Sequence, residues 1–329
     1  MSLIIAGDIG GTKTSLALYE FSDHTMNHTI NCIKQDTFAS HDFNQFNDIL
    51  LKFIEQQDHS EIDILSISVA GPVIDNECQT TNLPWHISAD DIKRELNISH
   101  VILFNDIEAS GFGLLQAVES DLIQINPKAK TQTGNQGIIS IGTGLGEAFM
   151  FWDGTKHIPC GTEGGHTDFA PLINADLALW QHFKAKYPEH LSYERLLSGP
   201  GISQIYDYLC LQHQLENISP SQDTSAWISL QAIQNTNHLC SETMDIFIRF
   251  LANEAANLCL KTFAIGGIFI TGGIAPKILP LLRQPNFMRH FVKKGRFKDM
   301  LQAVPIWINK NEQAPLNGAL SQALKYTQS

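Results

Sequence analysis

The stretch from Gly7 to Thr14 combines an aspartate with a glycine turn and ends in Lys-Thr. Glycines let backbone N–H groups approach an anion closely, and a carboxylate at the end of a strand can hold Mg²⁺ through water. The usual phosphate loop has Gly directly before its Lys, whereas Thr12 occupies that place here. The stretch therefore predicts a phosphate site of another kind, with an ordinary glycine hairpin as the alternative. Its candidate residues are Gly7, Asp8, Gly10, Gly11, Thr12, Lys13 and Thr14.

Two further glycine turns follow apolar strands. The second is Gly142-Thr143-Gly144, again between two predicted strands, and a pair of such loops facing each other would clamp a polyphosphate. The third, Gly272-Gly273, follows a strand that ends at Thr271 and leads to a helix predicted to start near Pro276. Helix N-termini with bare glycine backbone favour a negatively charged or polar ligand. The three turns together predict a nucleotide site.

Two polar pairs could act on a substrate. Asn105 and Asp106 lie where a predicted strand ends and a helix begins, so their side chains can reach a cleft at the carboxyl edge of a sheet; the alternative is that Asp106 is only a helix N-cap. Glu163 and His166 have the E-x-x-H spacing of di-iron helices. Gly164 and Gly165 between them make a helix improbable, and the motif has no second copy, so a loop histidine is the other alternative.

The elements that must position these residues alternate between strands and helices. The predicted strands include Leu3–Ala6, Thr14–Tyr19, Ile62–Val69 and Val101–Phe104, with an amphipathic helix around Phe46, Ile49 and Phe53, and this alternation predicts an α/β fold. The strand–turn–strand pattern returns at 137–150, which indicates two related lobes. A mostly helical stretch covers 176–263, with its polar part at 217–237 predicted as a surface connection. The chain closes with a strand at 304–308 and a helix at 315–326.

Length, charge and cysteines limit the function classes. A chain of 329 residues exceeds the usual size of one hydrophobic core, so two lobes with a cleft between them are expected. The net charge of -12 and the lack of a Lys/Arg cluster argue against nucleic-acid binding. Six scattered cysteines without CxxC indicate reduced thiols. Asp8 interrupts the first apolar run and no stretch is long enough to span a bilayer, so we expect no signal peptide, no membrane partner and a cytoplasmic protein.

Further motifs accompany the three turns: TNLPW at 81–85, FNDIEASGFG at 104–113, EGGHTDFAP at 163–171 and SYERLLSGPG at 192–201. With these, nearly the whole chain resembles the sugar kinases of the actin-like ATPase superfamily, and within them the bacterial glucokinases. Repressor-type relatives carry a cysteine-rich zinc motif beside their catalytic histidine, whereas only Cys160 lies near His166 here. The few residues before Leu3 also lead us to expect no DNA-binding extension. The resemblance is therefore to the zinc-free branch.

The resemblance implies a two-lobed actin-like ATPase (ribonuclease H-like) fold, each lobe a mixed sheet flanked by helices. The expected domains are 1–107 plus 312–329 and 108–311. It implies phosphoryl transfer from ATP to the 6-hydroxyl of glucose with Mg²⁺, Asp106 being the general base, in a homodimer. Glu163, His166 and Glu194 would bind hydroxyls on the anomeric side of the ring, with Asn82, Asn105 and Asp106 also at the sugar. The alternatives are a kinase for mannose, fructose or glucosamine, or a non-catalytic sugar-binding regulator.

Overall fold

The structure, a computed structural model, describes residues 2–24, 27–55, 61–80, 82–220 and 222–327. Thr81, the first residue of the TNLPW motif, lies outside the described residues. The chain divides into a first unit, Met1–Ala117 with Gln313–Ser329, and a second unit, Val118–Glu312. The first division thus falls after residue 117 instead of after 107, because the helix that begins at Asp106 packs on the C-terminal helix of the same unit.

The described strands are β1 (Ser2–Ile9), β2 (Lys13–His24), β3 (Asn27–Ala39), β4 (Ile64–Val69), β5 (Val73–Ile74), β6 (Glu77–Gln79), β7 (His86–Ser88), β8 (His100–Asn105), β9 (Leu122–Gln124), β10 (Gln136–Ile141), β11 (Leu145–Trp152), β12 (His157–Thr162), β13 (Gly267–Thr271) and β14 (Ile306–Asn309). The described helices are α1 (Phe46–Glu55), α2 (Ala89–Leu96), α3 (Asp106–Leu114), α4 (Ala175–Lys186), α5 (Gly199–His213), α6 (Thr224–Gln234), α7 (His238–Thr262), α8 (Leu279–Leu282), α9 (Pro285–Phe291), α10 (Lys298–Gln302) and α11 (Ala314–Ala323). The predicted α/β class is confirmed.

A mixed five-stranded sheet forms the centre of the first unit, in the order β3-β2-β1-β4-β8. The strands β1, β4 and β8 run parallel, whereas β2 and β3 are antiparallel to their neighbours. Both faces are apolar: one packs on α1 and α2, and the other on α3 and α11. Because parallel strands end at the same edge of a sheet, the C-terminal ends of β1, β4 and β8 lie side by side.

The second unit repeats this arrangement in a sheet of order β12-β11-β10-β13-β14-β9. Its first three strands are antiparallel, and β10, β13 and β14 run parallel, as β1, β4 and β8 do in the first unit. The long helix α7 is buried along most of its length against this sheet and the neighbouring helices. The repeated strand order agrees with the predicted relation between the two halves.

Two sequence expectations are wrong in detail, and one strand was not predicted. The polar segment 217–237 is not only a connection, because Ile228 and Ala232 are buried and α6 packs on α5 and α7. The strand β3 was not predicted, because it is an edge strand and none of its described side chains is buried. The helix expected near Pro276 begins as irregular turns, and α8 starts only at Leu279.

None of the six cysteines forms a disulfide, as the sequence predicts. Within the described ranges, no helix is both long enough and apolar enough to cross a membrane.

Candidate active site

The first glycine turn joins β1 to β2 and is held in place by Ser40. The N–H of Gly10 donates to the carbonyl of Lys13 at 2.9 Å, which closes the turn. The Ser40 hydroxyl donates to the carbonyl of Gly10 at 2.9 Å, and the Ser40 N–H donates to the carbonyl of Thr12 at 3.0 Å. Ser40 therefore fixes both sides of the turn. No motif in the sequence marks this serine, because it follows the strand β3 that had no prediction.

The predicted phosphate residues of this turn divide into interior and surface positions. Gly7 packs against Leu16, and Thr14 is fully buried with its hydroxyl 3.0 Å from that of Ser40. These two residues therefore shape the turn from inside. Gly11 is partly exposed, and Thr12 and Lys13 are exposed, so this part of the turn is accessible to a ligand.

Asp8 lies in β1, next to Ser68 on the parallel strand β4. The Ser68 hydroxyl donates to Asp8 Oδ1 at 2.5 Å. Burial raises the pKa of Asp8 above its ordinary value, and the Ser68 hydrogen bond opposes that rise. One carboxylate, with water and phosphate oxygens completing the shell, is a common way to hold Mg²⁺ in phosphoryl-transfer sites. The position and chemistry of Asp8 fit that role.

The register of the sheet places Asp8 and Asp106 at one edge. Asp8 is opposite Ser68, and Ser68 is opposite Phe104 on β8, two residues before Asp106. Adjacent strands lie about 4.8 Å apart, so Asp8 and Phe104 are about 10 Å apart across the sheet. A triphosphate end bound near Asp8 would therefore lie within a few ångströms of what Asp106 can reach.

The junction of β8 and α3 decides between the two interpretations of Asp106. Asn105 is the N-cap: its Oδ1 accepts the N–H of Ile107 at 3.0 Å, and its Nδ2 donates to the carbonyl of Gly71 at 2.9 Å. The interpretation of Asp106 as the N-cap is therefore wrong. Asp106 is the first residue of α3, half-buried, and its charge adds to burial in raising the pKa of the Cys78 thiol to about 11.

Asn82, expected at the sugar, lies beside the first glycine turn. A Cβ on Gly11 would be 2.8 Å from the Asn82 Cβ, so only glycine leaves room for this contact. The Asn82 side chain is exposed. Within the first unit, the structure thus places Asp8, Asn82, Asn105 and Asp106 around the turn and the adjoining sheet edge.

In the second unit, Glu194 is bound to the turn between β10 and β11. Its Oε2 accepts the N–H of Leu145 at 3.1 Å. The same oxygen lies 2.5 Å from the place where a Cβ on Gly144 would be, so the carboxylate packs directly on the glycine. The residue predicted to bind sugar and the turn predicted to bind phosphate are therefore in contact.

The segment Glu163–His166 forms a 3₁₀ turn and not an α-helix, as its glycines predict. A Cβ on Gly165 would lie 2.0 Å from the carbonyl oxygen of Leu145, so this turn rests on the start of β11. Glu163 Oε2 and His166 Nε2 are 3.8 Å apart, with side chains 59% and 52% exposed. Tyr193, beside Glu194, donates its N–H to the carbonyl of Thr167 at 3.1 Å. Glu163, His166 and Glu194 therefore surround the same strand end.

The interpretation of Glu163 and His166 as metal ligands gains no support. Across the described residues, no three His, Cys, Asp or Glu side chains form a group that could hold a metal ion.

The second and third glycine turns are in contact. The N–H of Ile274 donates to the carbonyl of Ile141 at 3.1 Å, and the N–H of Gly199, at the start of α5, donates to the carbonyl of Gly142 at 2.8 Å. Gly272 has φ +86° and its backbone approaches Ile141 so closely that a Cβ would lie 2.4 Å from the Ile141 oxygen. Glycine is therefore required at position 272 both by conformation and by space.

A pocket of about 240 Å³ opens beside these turns. Apolar side chains with a few polar groups form its wall, namely Ile202, Ser225, Ala226, Ser229, Leu230, Ile233, Ile274, Lys277 and Ile278. A mostly apolar lining with a few polar groups is typical of small-ligand sites. No sequence pattern marks this pocket, because α6 supplies one wall and lies in the segment predicted as a connection.

Comparisons with known proteins show the family of the chain. A family model described as Glucokinase matches residues 5–326 of the chain. The glucokinase of Nostoc punctiforme is 35% identical over 340 residues, which cover 97% of this chain and 98% of that relative.

Solved structures agree as well. The glucokinase from an Antarctic psychrotroph superposes with a TM-score of 0.78 at 25% identity, covering 99% of each chain. The glucokinase of Balamuthia mandrillaris, crystallised in complex with glucose, has a TM-score of 0.80 at 19% identity and covers 98% of this chain and 94% of its own. These likenesses confirm the predicted actin-like ATPase fold class.

Proposed function

Because the chain belongs to the glucokinase family, we propose that it transfers the γ-phosphate of ATP to the 6-hydroxyl of glucose, giving glucose 6-phosphate and ADP. The observation that carries the proposal is the junction of β8 and α3. Asn105 caps α3, so the neighbouring Asp106 carboxylate is not used as the cap, and it lies at the same sheet edge as Asp8 and the first glycine turn.

In the proposed reaction Asp106 is the general base. Its carboxylate accepts the proton of the 6-hydroxyl as that oxygen attacks the γ-phosphorus, and the bond from phosphorus to the β–γ bridging oxygen of ATP breaks. The capping bonds of Asn105 fix the start of α3, which limits the positions that Asp106 can take. Positioning and charge stabilisation supply most of the rate enhancement in such reactions.

The ring would be bound by Glu163, His166 and Glu194 on its anomeric side, with Asn105 near its other end. These side chains suit a ligand whose surface is almost entirely hydroxyl, because each buried polar group left unpaired costs about 1–3 kcal/mol. The reaction requires both sets of residues to act on one hexose. The grouping of the residues inside each unit supports this assignment. Asn105 and Asp106 lie at one strand end of the first unit, and the three residues proposed for the anomeric side lie around the start of β11 in the second unit.

The nucleotide would be bound by the glycine turns and the pocket beside them. We assign the phosphates to the accessible backbone of Gly11 to Lys13 and of Gly142 to Gly144, Mg²⁺ to Asp8 through water, and the adenosine to the pocket of about 240 Å³ next to Gly272 and Gly273. Bound Mg²⁺ would neutralise charge on the terminal phosphates. The adenine base is a flat ring system that packs on apolar side chains and forms a few hydrogen bonds at its edge, which matches the lining of this pocket.

A coupled assay of ADP release with ATP and a panel of sugars tests the function. We expect glucose to give the highest kcat/KM. A preference for mannose, fructose or glucosamine would make the protein a different hexose kinase. Saturable glucose binding without ADP release would instead indicate a regulator that performs no chemistry.

The remaining assignments rest on the resemblance alone. We propose a cytoplasmic homodimer that supplies glucose 6-phosphate to glycolysis. Light scattering of the purified protein tests the oligomeric state, and a mass of 36.6 kDa, that of one chain, would contradict it.

A further inference from the structure

Glu147, on β11, lies directly below the turn Glu163–His166. A Cβ on Gly164 would be 2.3 Å from Glu147 Oε2, so the Glu147 carboxyl fills the space below the glycine. Hydrogen bonds at the end of the β11–β12 pair also hold the turn in place. The Thr162 hydroxyl donates to the carbonyl of Glu147 at 2.7 Å and accepts the N–H of Gly164 at 3.1 Å. Any movement of Glu147 therefore reaches the turn directly.

The carboxyl of Glu147 is enclosed without a hydrogen-bond partner for one oxygen. Glu147 is 1% exposed, and its Oε1 has no partner among the described residues. A buried carboxylate is strongly disfavoured unless it is paired or hydrogen-bonded. The environment therefore favours the neutral acid.

The charged groups around Glu147 come from several elements. On α7, Glu254 is fully buried and repels a negative Glu147, whereas Lys261, 3.3 Å from Glu254 Oε1, attracts it. Lys294, after α9, donates to Asn253 and Asn257 beside Glu254, and the exposed Glu163 and His166 lie on the turn above. Burial, followed by the charge of Glu254, raises the pKa of Glu147 to about 8, and Lys261 opposes the rise.

The same buried cluster also reaches Glu194. Its neighbour Tyr193 is buried, and the Tyr193 hydroxyl accepts from Asn253 at 3.4 Å and from Asn257 at 3.3 Å. Burial raises the pKa of the Tyr193 phenol, and the charge of the nearby Glu254 and a hydrogen bond to it raise this pKa further. The cluster therefore contacts the supports of all three proposed ring-binding residues, Glu163, His166 and Glu194.

We propose that Glu147 is a positioning residue, which in its protonated form holds the turn Glu163–His166 in the arrangement that binds the hexose. This inference rests on the proposed function. Ionisation of Glu147 would place an unpaired charge under Gly164 and repel Glu254, and the turn would have to move to admit water. Glucose binding should therefore weaken as the pH rises through about 8.

The test compares wild type with Glu147→Gln, which keeps the shape of the neutral acid but cannot ionise. For wild type we expect the glucose KM to rise about tenfold from pH 7 to pH 9, one unit above that pKa, with a smaller change in the ATP KM. The glucose KM of Glu147→Gln should stay constant over that range. Glu254→Gln removes the like charge that helps to raise the pKa of Glu147, so it should move the rise to lower pH.

A wild-type glucose KM that does not change between pH 7 and pH 9, or the same rise in Glu147→Gln, would overturn the inference. If Glu147→Gln does not fold, calorimetric titration of wild type with glucose alone tests the inference. A glucose Kd that stays constant between pH 7 and pH 9 would also overturn it. A wild-type protein that phosphorylates no hexose at any pH would overturn the proposed function first, which separates the two failures.

Discussion

The Oε2 of Glu194 accepts a hydrogen bond of 3.1 Å from the backbone N–H of Leu145. This bond connects the SYERLLSGPG motif to the glycine turn of β10 and β11, which is 49 residues earlier in the chain. In the proposed site the same carboxylate binds the sugar, so the position of the ring depends on the conformation of the phosphate turn.

Gly144→Ala should weaken glucose binding through this contact. The new Cβ would lie 2.5 Å from Glu194 Oε2, so the carboxylate must move away. Losing a hydrogen bond to a charged group costs about 1.5–3 kcal/mol, which predicts a rise of at least about tenfold in the glucose KM. Steady-state kinetics with varied glucose measures this. Gly142→Ala, whose Cβ would meet no atom within 4 Å, is the control and should leave the glucose KM unchanged.

Asp106→Asn should remove most of the turnover while the protein stays folded. The amide keeps the shape of the side chain but is not a base, so kcat should fall by about 10²- to 10⁴-fold, with glucose binding changed only a few-fold. The coupled assay and calorimetric glucose titration measure the two effects. Glu108→Gln, at the other acidic residue in the first turn of α3, is the matched control. Turnover near that of wild type in Asp106→Asn would remove the base assignment.

Asp8→Asn should stabilise the fold and weaken nucleotide binding. Burial raises the native pKa of Asp8 above its ordinary value of 3.8, so the unfolded state loses this proton at lower pH than the native state does. The contribution of Asp8 to the free energy of unfolding is therefore complete below pH 3.8. It is lost as the pH rises through the native pKa of Asp8. The free energy of unfolding of the variant should exceed that of wild type at pH 7, and the difference should shrink towards pH 4. Denaturant unfolding at several pH values measures it.

The ATP KM of Asp8→Asn at fixed Mg²⁺ is the functional half of this prediction. We expect a rise of about tenfold, comparable to the loss of one charge-assisted contact. An unchanged ATP KM over a range of Mg²⁺ concentrations would remove Asp8 from the metal site.

Ser40→Ala should loosen the first glycine turn. The variant loses the hydroxyl bonds to Gly10 and Thr14, which should lower the free energy of unfolding by about 1–3 kcal/mol. The ATP KM should rise several-fold while the glucose KM stays the same. The control is Ser15→Ala, which removes an exposed side-chain hydrogen bond to Thr37 between β2 and β3 and leaves the contacts of Ser40 in place. Lower stability without a change in the ATP KM would limit Ser40 to a structural role.

Ala226→Phe should block the proposed adenosine pocket. Ala226 lines the cavity of about 240 Å³, and a phenyl ring there would occupy the space of a base. We expect the ATP KM to rise more than about tenfold, since an apolar ligand surface of this size contributes several kcal/mol when buried. Glucose binding without nucleotide should not change. Gln234→Phe, at an exposed residue of the same helix that does not line the pocket, should behave as wild type.

The sequence by itself determined the α/β class, the three glycine turns and the position of Asn105-Asp106 at the junction of a strand and a helix. These features depend on local chemistry: hydrophobic periodicity sets the strands and helices, and glycines mark the turns. The absence of an α-helix at Glu163–His166 was predicted from two adjacent glycines for the same reason. The family resemblance extended this to residue roles, which the local patterns alone left open.

Only the tertiary structure decided which residues support the site. Ser40 fixes a turn 30 residues earlier, Glu194 binds a turn 49 residues earlier, and the buried Glu254 on α7 lies by Glu147 and Tyr193. The pocket wall from α6 also depends on how that helix packs on α5 and α7. Such contacts depend on strand register and helix packing, which bring distant segments together through burial and not through any spacing along the chain.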